Sequence, residues 1–101
     1  MLKKMVKKIG NMRNGRKYSE RMIRNFKHNL KYLRERGRMT KAQLARELGY
    51  SPSYVTMLEG MGSRKKPGMG ISLETLAHVA HFFGTTPGRI LDAEYPFELF
   101  Q

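Results

Sequence analysis

The chain has 101 residues, which suits one small domain and excludes two. It contains no cysteine, so disulfides, thiolate metal sites and cysteine nucleophiles are excluded together. The net charge is +12, and it is concentrated in residues 1–38, which hold fourteen basic and two acidic residues. Residues 39–101 are neutral overall, so the charge of the front end predicts a polyanionic partner.

Targeting and membrane signals are not expected. No segment reaches about eighteen consecutive apolar residues, the length that predicts a membrane-spanning helix. Residues 1–10 are basic but lack the continuous apolar stretch of about 7 to 15 residues found in a secretory signal. The sequence therefore predicts a folded cytoplasmic protein.

Residues 1–18 are predicted to form a basic arm, separate from the folded domain. Residues 1–9 have the apolar spacing of a short amphipathic helix, but nine residues do not remain helical alone in water. The arm is either a solvated tail or a segment that becomes ordered on a partner. Binding to an anionic membrane surface is a third hypothesis for residues 1–9, and it is less favoured than the other two. The basic residues of the arm are candidates for phosphate contact: Lys3, Lys4, Lys7, Lys8, Arg13, Arg16 and Lys17.

Five helices are predicted in residues 19–91, which makes the fold class all-α. Ser19 is the expected N-cap of the first helix, which ends near Gly37. Thr40 and Gln43 have the spacing of a capping box and begin the second helix, which Gly49 ends. The apolar faces of the two helices are formed by Ile23, Phe26, Leu30, Leu33, Leu44, Ala45 and Leu48.

Two cap-and-proline pairs begin the third and fifth helices. Ser51-Pro52 begins a helix that runs to about Glu59, and Thr86-Pro87 begins the last one. A glycine-rich loop over residues 60–71 separates the third helix from the fourth, which starts after Ser72 and ends at Gly84. Its inward side is expected to carry Leu73, Leu76, Ala80 and Phe83, with His78 and His81 on the other side.

The second and third helices, joined by a tight glycine turn, have the arrangement of a helix-turn-helix unit, which presents its second helix to DNA. The turn alone is weak evidence, but the spacing of the surrounding residues is detailed. The pattern comprises Thr40, Leu44-Ala45, Leu48-Gly49, Ser51, Val55, Leu58-Glu59, Ser72 to Leu76, Val79-Ala80 and Phe83-Gly84. Over about residues 23–91 the sequence resembles the lambda repressor-like (Cro/repressor, XRE-type) helix-turn-helix DNA-binding family. The resemblance implies a five-helix DNA-binding domain and a transcriptional regulator, a prokaryotic or phage repressor, that binds double-stranded DNA as a dimer.

Candidate base-reading residues lie on the outer side of the third helix. With Val55 and Leu58 turned inward, the helical period leaves four residues outward. They are Pro52, Ser53, Thr56 and Met57, and the resemblance implies that they meet base edges. None of them is Arg, Lys, Asn or Gln, so we expect modest direct readout supplemented by DNA shape or by the arm.

Candidate phosphate contacts surround this helix. They are Lys41, Ser51, Tyr54, Arg64, Lys65 and Lys66. Tyr54 either directs its hydroxyl to the DNA backbone or packs on the second helix, and the loop cluster of residues 64–66 either flanks phosphates or is solvated. The resemblance also implies a largely buried ion pair between Arg34 and Glu59, which specifies the fold.

Residues 92–101 form an acidic and aromatic tail with the alternation of a short strand. The tail either folds back over the helices or pairs across a two-fold axis, and a homodimer contact is favoured. The residues for that contact are Tyr95, Phe97, Leu99 and Phe100. The alternative function is a protein-interaction module on the same fold, such as an antitoxin that binds a toxin or a phage accessory protein. No enzyme activity and no cofactor are expected. No metal site is expected either, since His78 and His81 have no third ligand nearby.

Overall fold

Five helices follow one another in the residues that the structure, a computed structural model, describes. These are residues 12–60 and 70–95, with the backbone alone for residues 12–16. The helices are α1 (Met12–Arg36), α2 (Lys41–Leu48), α3 (Pro52–Glu59), α4 (Leu73–Phe82) and α5 (Pro87–Asp92). The described ranges contain no strand, and the prediction of an all-α fold with five helices is confirmed.

Helix α1 begins earlier than the sequence pattern suggested. It starts at Met12 and continues through Ser19, so the prediction that Ser19 caps the helix is wrong, and residues 12–18 of the predicted arm have a helical backbone. Asn14 and Gly15 are poor helix formers, and glycine costs ~1 kcal/mol relative to alanine. Extending an existing helix nevertheless adds a hydrogen bond per residue without a new nucleation step. The resulting helix of 25 residues is about 37 Å long.

Side-chain caps begin the other four helices at the predicted residues. The hydroxyl of each cap accepts a hydrogen bond from the backbone N–H three residues later, which satisfies a group that the helix itself leaves unpaired. The caps are Thr40, Ser51, Ser72 and Thr86. At α2 the Gln43 side chain returns the bond to the backbone of Thr40, so the predicted capping box is present.

Three helices end in a residue with left-handed backbone conformation. Gly49 has φ 78° after α2 and Gly84 has φ 70° after α4, and glycine adopts this conformation without steric cost. After α1 the residue in this position is Arg38, with φ 57°. The N–H of Met39 then donates to the carbonyl of Arg34 at 3.0 Å, which closes the helix end.

One apolar core lies between the helices. α1 packs against α3 and α5, α2 packs against α3 and α4, and α4 packs against α5. The predicted apolar faces of α1 and α2 are buried, and Val55 and Leu58 of α3 are buried as well. The buried apolar residues are Ile23, Phe26, Leu30, Leu33, Leu44, Ala45, Leu48, Val55, Leu58, Leu76, Val79, Ala80, Ile90 and Tyr95.

The inward face of α4 differs from the prediction at one end. Leu76 and Ala80 are buried and Phe83 packs against the core, but Leu73 is 82% exposed. Leu73 is the first residue of α4, and side chains in a first turn lean towards the N-terminal end of their helix. Leu73 therefore points beyond the packed helices, and Thr75 takes the buried position in this turn.

Polar side chains of α1 hold the end of α5 and the residues after it. The amide of fully buried Asn29 donates to the carbonyls of Ile90 at 2.9 Å and Ala93 at 2.8 Å, and its oxygen accepts from the N–H of Tyr95 at 2.7 Å. One turn earlier, Asn25 donates to the carbonyl of Leu91 at 2.8 Å. The carbonyls at the end of a helix have no partner within it, so these asparagines supply the missing donors.

Tyr95 belongs to the core, and this corrects its assignment to a dimer contact. The residue is only 2% exposed, its ring contacts that of Tyr32 edge to face, and its hydroxyl bonds to that of Thr85 at 2.9 Å. His28 also bonds through Nε2 to the Tyr95 carbonyl at 2.8 Å. The start of the tail thus folds back over the helices, because an aromatic side chain gains from burial while Asn29 satisfies its backbone. Phe97, Leu99 and Phe100 lie outside the described residues.

We expect Asn29→Ala to lower the free energy of unfolding by about 2–4 kcal/mol, because it leaves three backbone groups, two of them buried, without their side-chain partner. Asn25→Ala, which removes a single bond, should cost about 1 kcal/mol. Lys31→Ala is the control, since Lys31 is exposed on the same helix and should change stability by no more than about 0.5 kcal/mol. Urea unfolding followed by circular dichroism measures all three. Equal losses for Asn29→Ala and Lys31→Ala would contradict this role for Asn29.

Candidate nucleic-acid interface

Helices α2 and α3 form a rigid two-helix unit. Fully buried Ala45 allows the helices to approach closely, and Leu44, Leu48, Val55 and Leu58 fill the space between them and α1. Between the helices, Gly49 turns the chain in the left-handed conformation and the N–H of Tyr50 donates to the carbonyl of Ala45 at 2.8 Å. Ser51 and Pro52 then begin α3 at once. The orientation of α3 relative to α2 is therefore fixed by packing and by the turn.

The outer face of α3 is open to solvent. Pro52, Ser53, Thr56 and Met57 are all exposed, as the helical period predicted, and Met57 is exposed over 39% of its surface. Their place on one exposed side of a helix that is anchored on its other side suits contact with a partner. Their role in reading bases remains a prediction.

Hydroxyl groups on this face are already engaged in hydrogen bonds. The Thr56 hydroxyl donates to the carbonyl of Pro52, one turn earlier in the same helix, at 3.1 Å. The Ser51 hydroxyl accepts from the N–H of Tyr54 at 3.2 Å and lies 3.2 Å from the hydroxyl of Ser53, with which it shares a hydrogen bond. These bonds decide which donors and acceptors the face still offers to a ligand.

A cluster of aromatic and polar side chains connects the turn and α3 to α4. The rings of Tyr50 and Tyr54 meet edge to face with centroids 4.8 Å apart, and the Tyr50 hydroxyl bonds to Nδ1 of His78 at 3.1 Å. The hydroxyl of half-buried Tyr54 bonds to that of Thr75 at 3.1 Å. Tyr54 thus packs against Tyr50 in the turn and bonds to α4, whereas the packing expected for it was on the second helix; contact of its hydroxyl with the DNA backbone stays a prediction. Sequence reasoning missed the parts played by Tyr50, Thr75 and His78, because partners on another helix leave no local pattern.

Arg34 and Glu59 form a buried, two-pronged ion pair. Nε of Arg34 donates to Oε2 of Glu59 at 2.6 Å and Nη2 donates to Oε1 at 3.1 Å, while Nη1 donates to the carbonyl of Met39 at 2.8 Å. The hydrogen bond to Glu59 raises the pKa of Arg34, and this outweighs the desolvation that would lower it. The guanidinium therefore stays charged, and it ties the last residue of α3 to α1.

The basic residues that are candidates for phosphate contact fall into three groups. Lys41 is exposed at the first position of α2. Basic residues, all exposed except half-buried Lys27, also follow one side of α1. Two shallow grooves there are lined by Lys17, Arg21, Arg24, Lys27, His28 and Lys31, with Glu20, Glu59 and Glu94 among them. Arg13 and Arg16 belong to α1 by their backbone, whereas Lys3, Lys4, Lys7, Lys8, Arg64, Lys65 and Lys66 lie outside the described residues.

The described residues contain neither a metal-binding cluster nor a membrane-spanning helix. In residues 12–60 and 70–95, no three or more acidic, histidine or cysteine side chains come together as a metal site. His78 is engaged with Tyr50, and His81 is exposed on α4. None of the five helices combines the length and apolar character needed to cross a membrane.

Comparison with known families identifies the unit. A family profile described as a helix-turn-helix domain matches residues 28–93, which covers α2 to α5 and the last third of α1. The chain belongs to this helix-turn-helix family. The family is of the lambda repressor-like type, as the sequence resemblance implied, and it consists of DNA-binding domains that are typically not enzymes. No curated protein and no solved structure matches the chain.

Within the helix-turn-helix domain, we expect Glu59→Gln to cost about 3–5 kcal/mol of unfolding free energy, because it leaves the charge of Arg34 buried without a counter-charge. Arg34→Met combined with Glu59→Leu should cost less than Glu59→Gln alone, since no buried charge remains. The control is Glu35→Gln, whose carboxylate lies 3.9 Å from Arg34 but is 58% exposed and should contribute about 0–1 kcal/mol. Thermal and urea unfolding test this order. A Glu59→Gln loss no larger than that of Glu35→Gln would contradict it.

Proposed function

We propose that this protein is a sequence-specific, double-stranded DNA-binding transcriptional regulator, a prokaryotic or phage repressor that acts in the cytoplasm. It inserts the helix at residues 51–59 into the major groove. The observation that carries the proposal is the exposed face of α3 on a unit whose other side is fully packed. The major groove is wide enough for an α-helix, and its base edges are within reach of side chains on such a face.

Contacts to the DNA backbone come from residues beside this face. Lys41 and Ser51 stand at the N-terminal ends of α2 and α3, where helix dipoles and free N–H groups favour phosphate. Arg64, Lys65 and Lys66 follow α3 in sequence and are placed by this proposal beside the same backbone. Tyr54 contributes by holding α3 against α4, and its hydroxyl proton is free to donate to a phosphate oxygen when Thr75 is the donor of the bond between the two hydroxyls.

The basic front end supplies most of the affinity in this proposal. Residues 1–38 carry the whole net charge of the chain, and neutralising phosphates releases bound cations without regard to sequence. Specificity then comes from α3, from DNA shape and from the arm.

The regulator acts as a homodimer in this proposal. A two-fold symmetric protein matches a palindromic site whose halves are about one helical turn apart. With Tyr95 buried in its own domain, the residues left for a contact through the tail are Phe97, Leu99 and Phe100.

A second candidate is a protein-interaction module on the same fold, such as an antitoxin that binds a toxin or a phage accessory protein. One observation favours it: the exposed face of α3 has no long polar side chain, and Met57 contributes an apolar surface there. In that case changes on α3 would leave DNA binding unaffected.

Selection of bound fragments from a random duplex pool tests the proposed function. We expect an enriched palindrome, and we expect Ser53→Ala combined with Thr56→Ala to change the enriched bases, because two hydroxyls of the reading face are lost. The control is Asp92→Asn, an exposed change at the end of α5. An unchanged preference in the double variant would favour the protein-interaction module.

The salt dependence of DNA affinity tests the role of the basic front end. If six to ten phosphates are neutralised, affinity should fall by roughly 10³–10⁵ between about 50 and 200 mM salt. Replacing Lys3, Lys4, Lys7 and Lys8 by glutamine should lower the log-log slope by up to about 3 to 4 and leave the preferred site unchanged. The α3 double variant is the converse control, with altered preference and an unaltered slope. A wild-type slope shallower than about two would refute the role of the front end.

A further inference from the structure

The hydrogen bonds on the outer face of α3 restrict which bases that face can read. A threonine hydroxyl has one proton to donate and two lone pairs that accept. The proton of Thr56 is already given to the carbonyl of Pro52, at 3.1 Å. While this bond is kept, exposed Thr56 offers a ligand only its lone pairs and acts as an acceptor.

An acceptor at this place discriminates among base edges. In the major groove the donors are the N6 amino group of adenine and the N4 amino group of cytosine, whereas guanine presents two acceptors, N7 and O6. If the hydroxyl oxygen faced guanine, two acceptors would meet and no proton would be available for a hydrogen bond between them. The long donors that recognise guanine are also missing, since α3 consists of PSYVTMLE and contains no Arg, Lys, Asn or Gln.

The next residue adds an apolar group. Met57 is 39% exposed on the same side of the helix, and its thioether chain can gain only from contact with another apolar surface. The C5-methyl of thymine is the apolar group that base pairs present in the major groove. Cytosine shares an amino donor with adenine but lacks this methyl, so the two side chains together favour an A·T pair over a G·C pair.

The one hydroxyl proton left over lies at the other end of α3. Ser51 and Ser53 share a hydrogen bond and have two protons between them, so one proton remains for a ligand. It is at the N-terminus of the helix, where the helix dipole favours an anion. Whether a phosphate oxygen or a base edge accepts this proton, the acceptor character of Thr56 is unchanged.

We propose that α3 reads A·T pairs, with the Thr56 hydroxyl accepting from the N6 amino group of adenine and the Met57 side chain lying against the C5-methyl of thymine. The inference rests on the proposed insertion of α3 into the major groove. It adds the chemical class of base pair and assigns one contact to each residue.

Single-atom changes in the DNA test the two contacts. In the duplex enriched from the random pool, each thymine is replaced in turn by deoxyuridine, which lacks the methyl, and each adenine by deoxynebularine, which lacks the amino group. We expect one thymine per half-site at which the change weakens binding about fourfold, the value for one buried methyl group. We expect one adenine at which binding weakens about fivefold, the value for one hydrogen bond.

Variants then assign each effect to a side chain. Met57→Ala should abolish the uracil effect and keep the nebularine effect, whereas Thr56→Val, which has the same shape without the acceptor, should do the reverse. Thr56→Ser keeps the hydroxyl and should retain the nebularine effect. Met57→Leu keeps a large apolar side chain and should retain the uracil effect. Because each comparison is made within one protein, changes in duplex stability cancel as in a double-mutant cycle. Circular dichroism melting confirms that the variants fold, and Asp92→Asn should keep both effects.

The outcomes separate this inference from the function on which it rests. An enriched site that depends on guanine at the positions sensitive to α3, detected as a loss of binding with 7-deazaguanine, would overturn the A·T assignment and leave the regulator intact. Analogue effects that persist unchanged in Met57→Ala and Thr56→Val would do the same. A pool without any enriched sequence would overturn both.

Discussion

The buried pair between Arg34 and Glu59 sets the position of the whole helix-turn-helix unit. Glu59 is the last residue of α3, and the third bond of the same guanidinium goes to Met39, just before the cap of α2. One side chain of α1 therefore fixes the start of one helix and the end of the next. Burying two charges is costly, and the geometry offsets that cost only because both carboxylate oxygens are engaged. What the pair contributes above all is a defined direction for α3.

Charge and recognition are separated along the chain. The net charge lies in residues 1–38, and α3 carries no basic residue at all. In the proposed function a front end of this kind attracts any nucleic acid, whereas α3 contributes shape, an acceptor and an apolar group. Tyr54 and Thr75 keep that helix against α4 without relying on charge. Affinity and preference should therefore respond to different substitutions, which is the behaviour expected when phosphate contacts position a protein and base contacts specify its site.

Features with a local cause could be predicted from the sequence, and features with a distant cause could not. The caps at Thr40 and Ser51 and the buried faces of α1 and α2 follow from neighbours within one helical turn. The start of α1 was missed because helix propagation overcame Gly15. The bonds of Asn29 join residues more than sixty positions apart, and two asparagines on an apolar face were the only signal in the sequence. The pair of Arg34 and Glu59 was expected only through the family resemblance.

Exposure alone is a poor guide to what a reading face can recognise, because a side chain that is open to solvent can have its proton committed elsewhere. Thr56 is such a case. If Thr56 and Met57 strengthen binding about fivefold and fourfold, the preference for the correct bases is roughly twentyfold for one half-site and about 400-fold for a palindrome. Specific binding usually exceeds non-specific binding by about 10³ to 10⁷. The two side chains alone fall short of that range, so the remaining discrimination has to come from the deformability of the DNA or from the basic residues at the start of the chain.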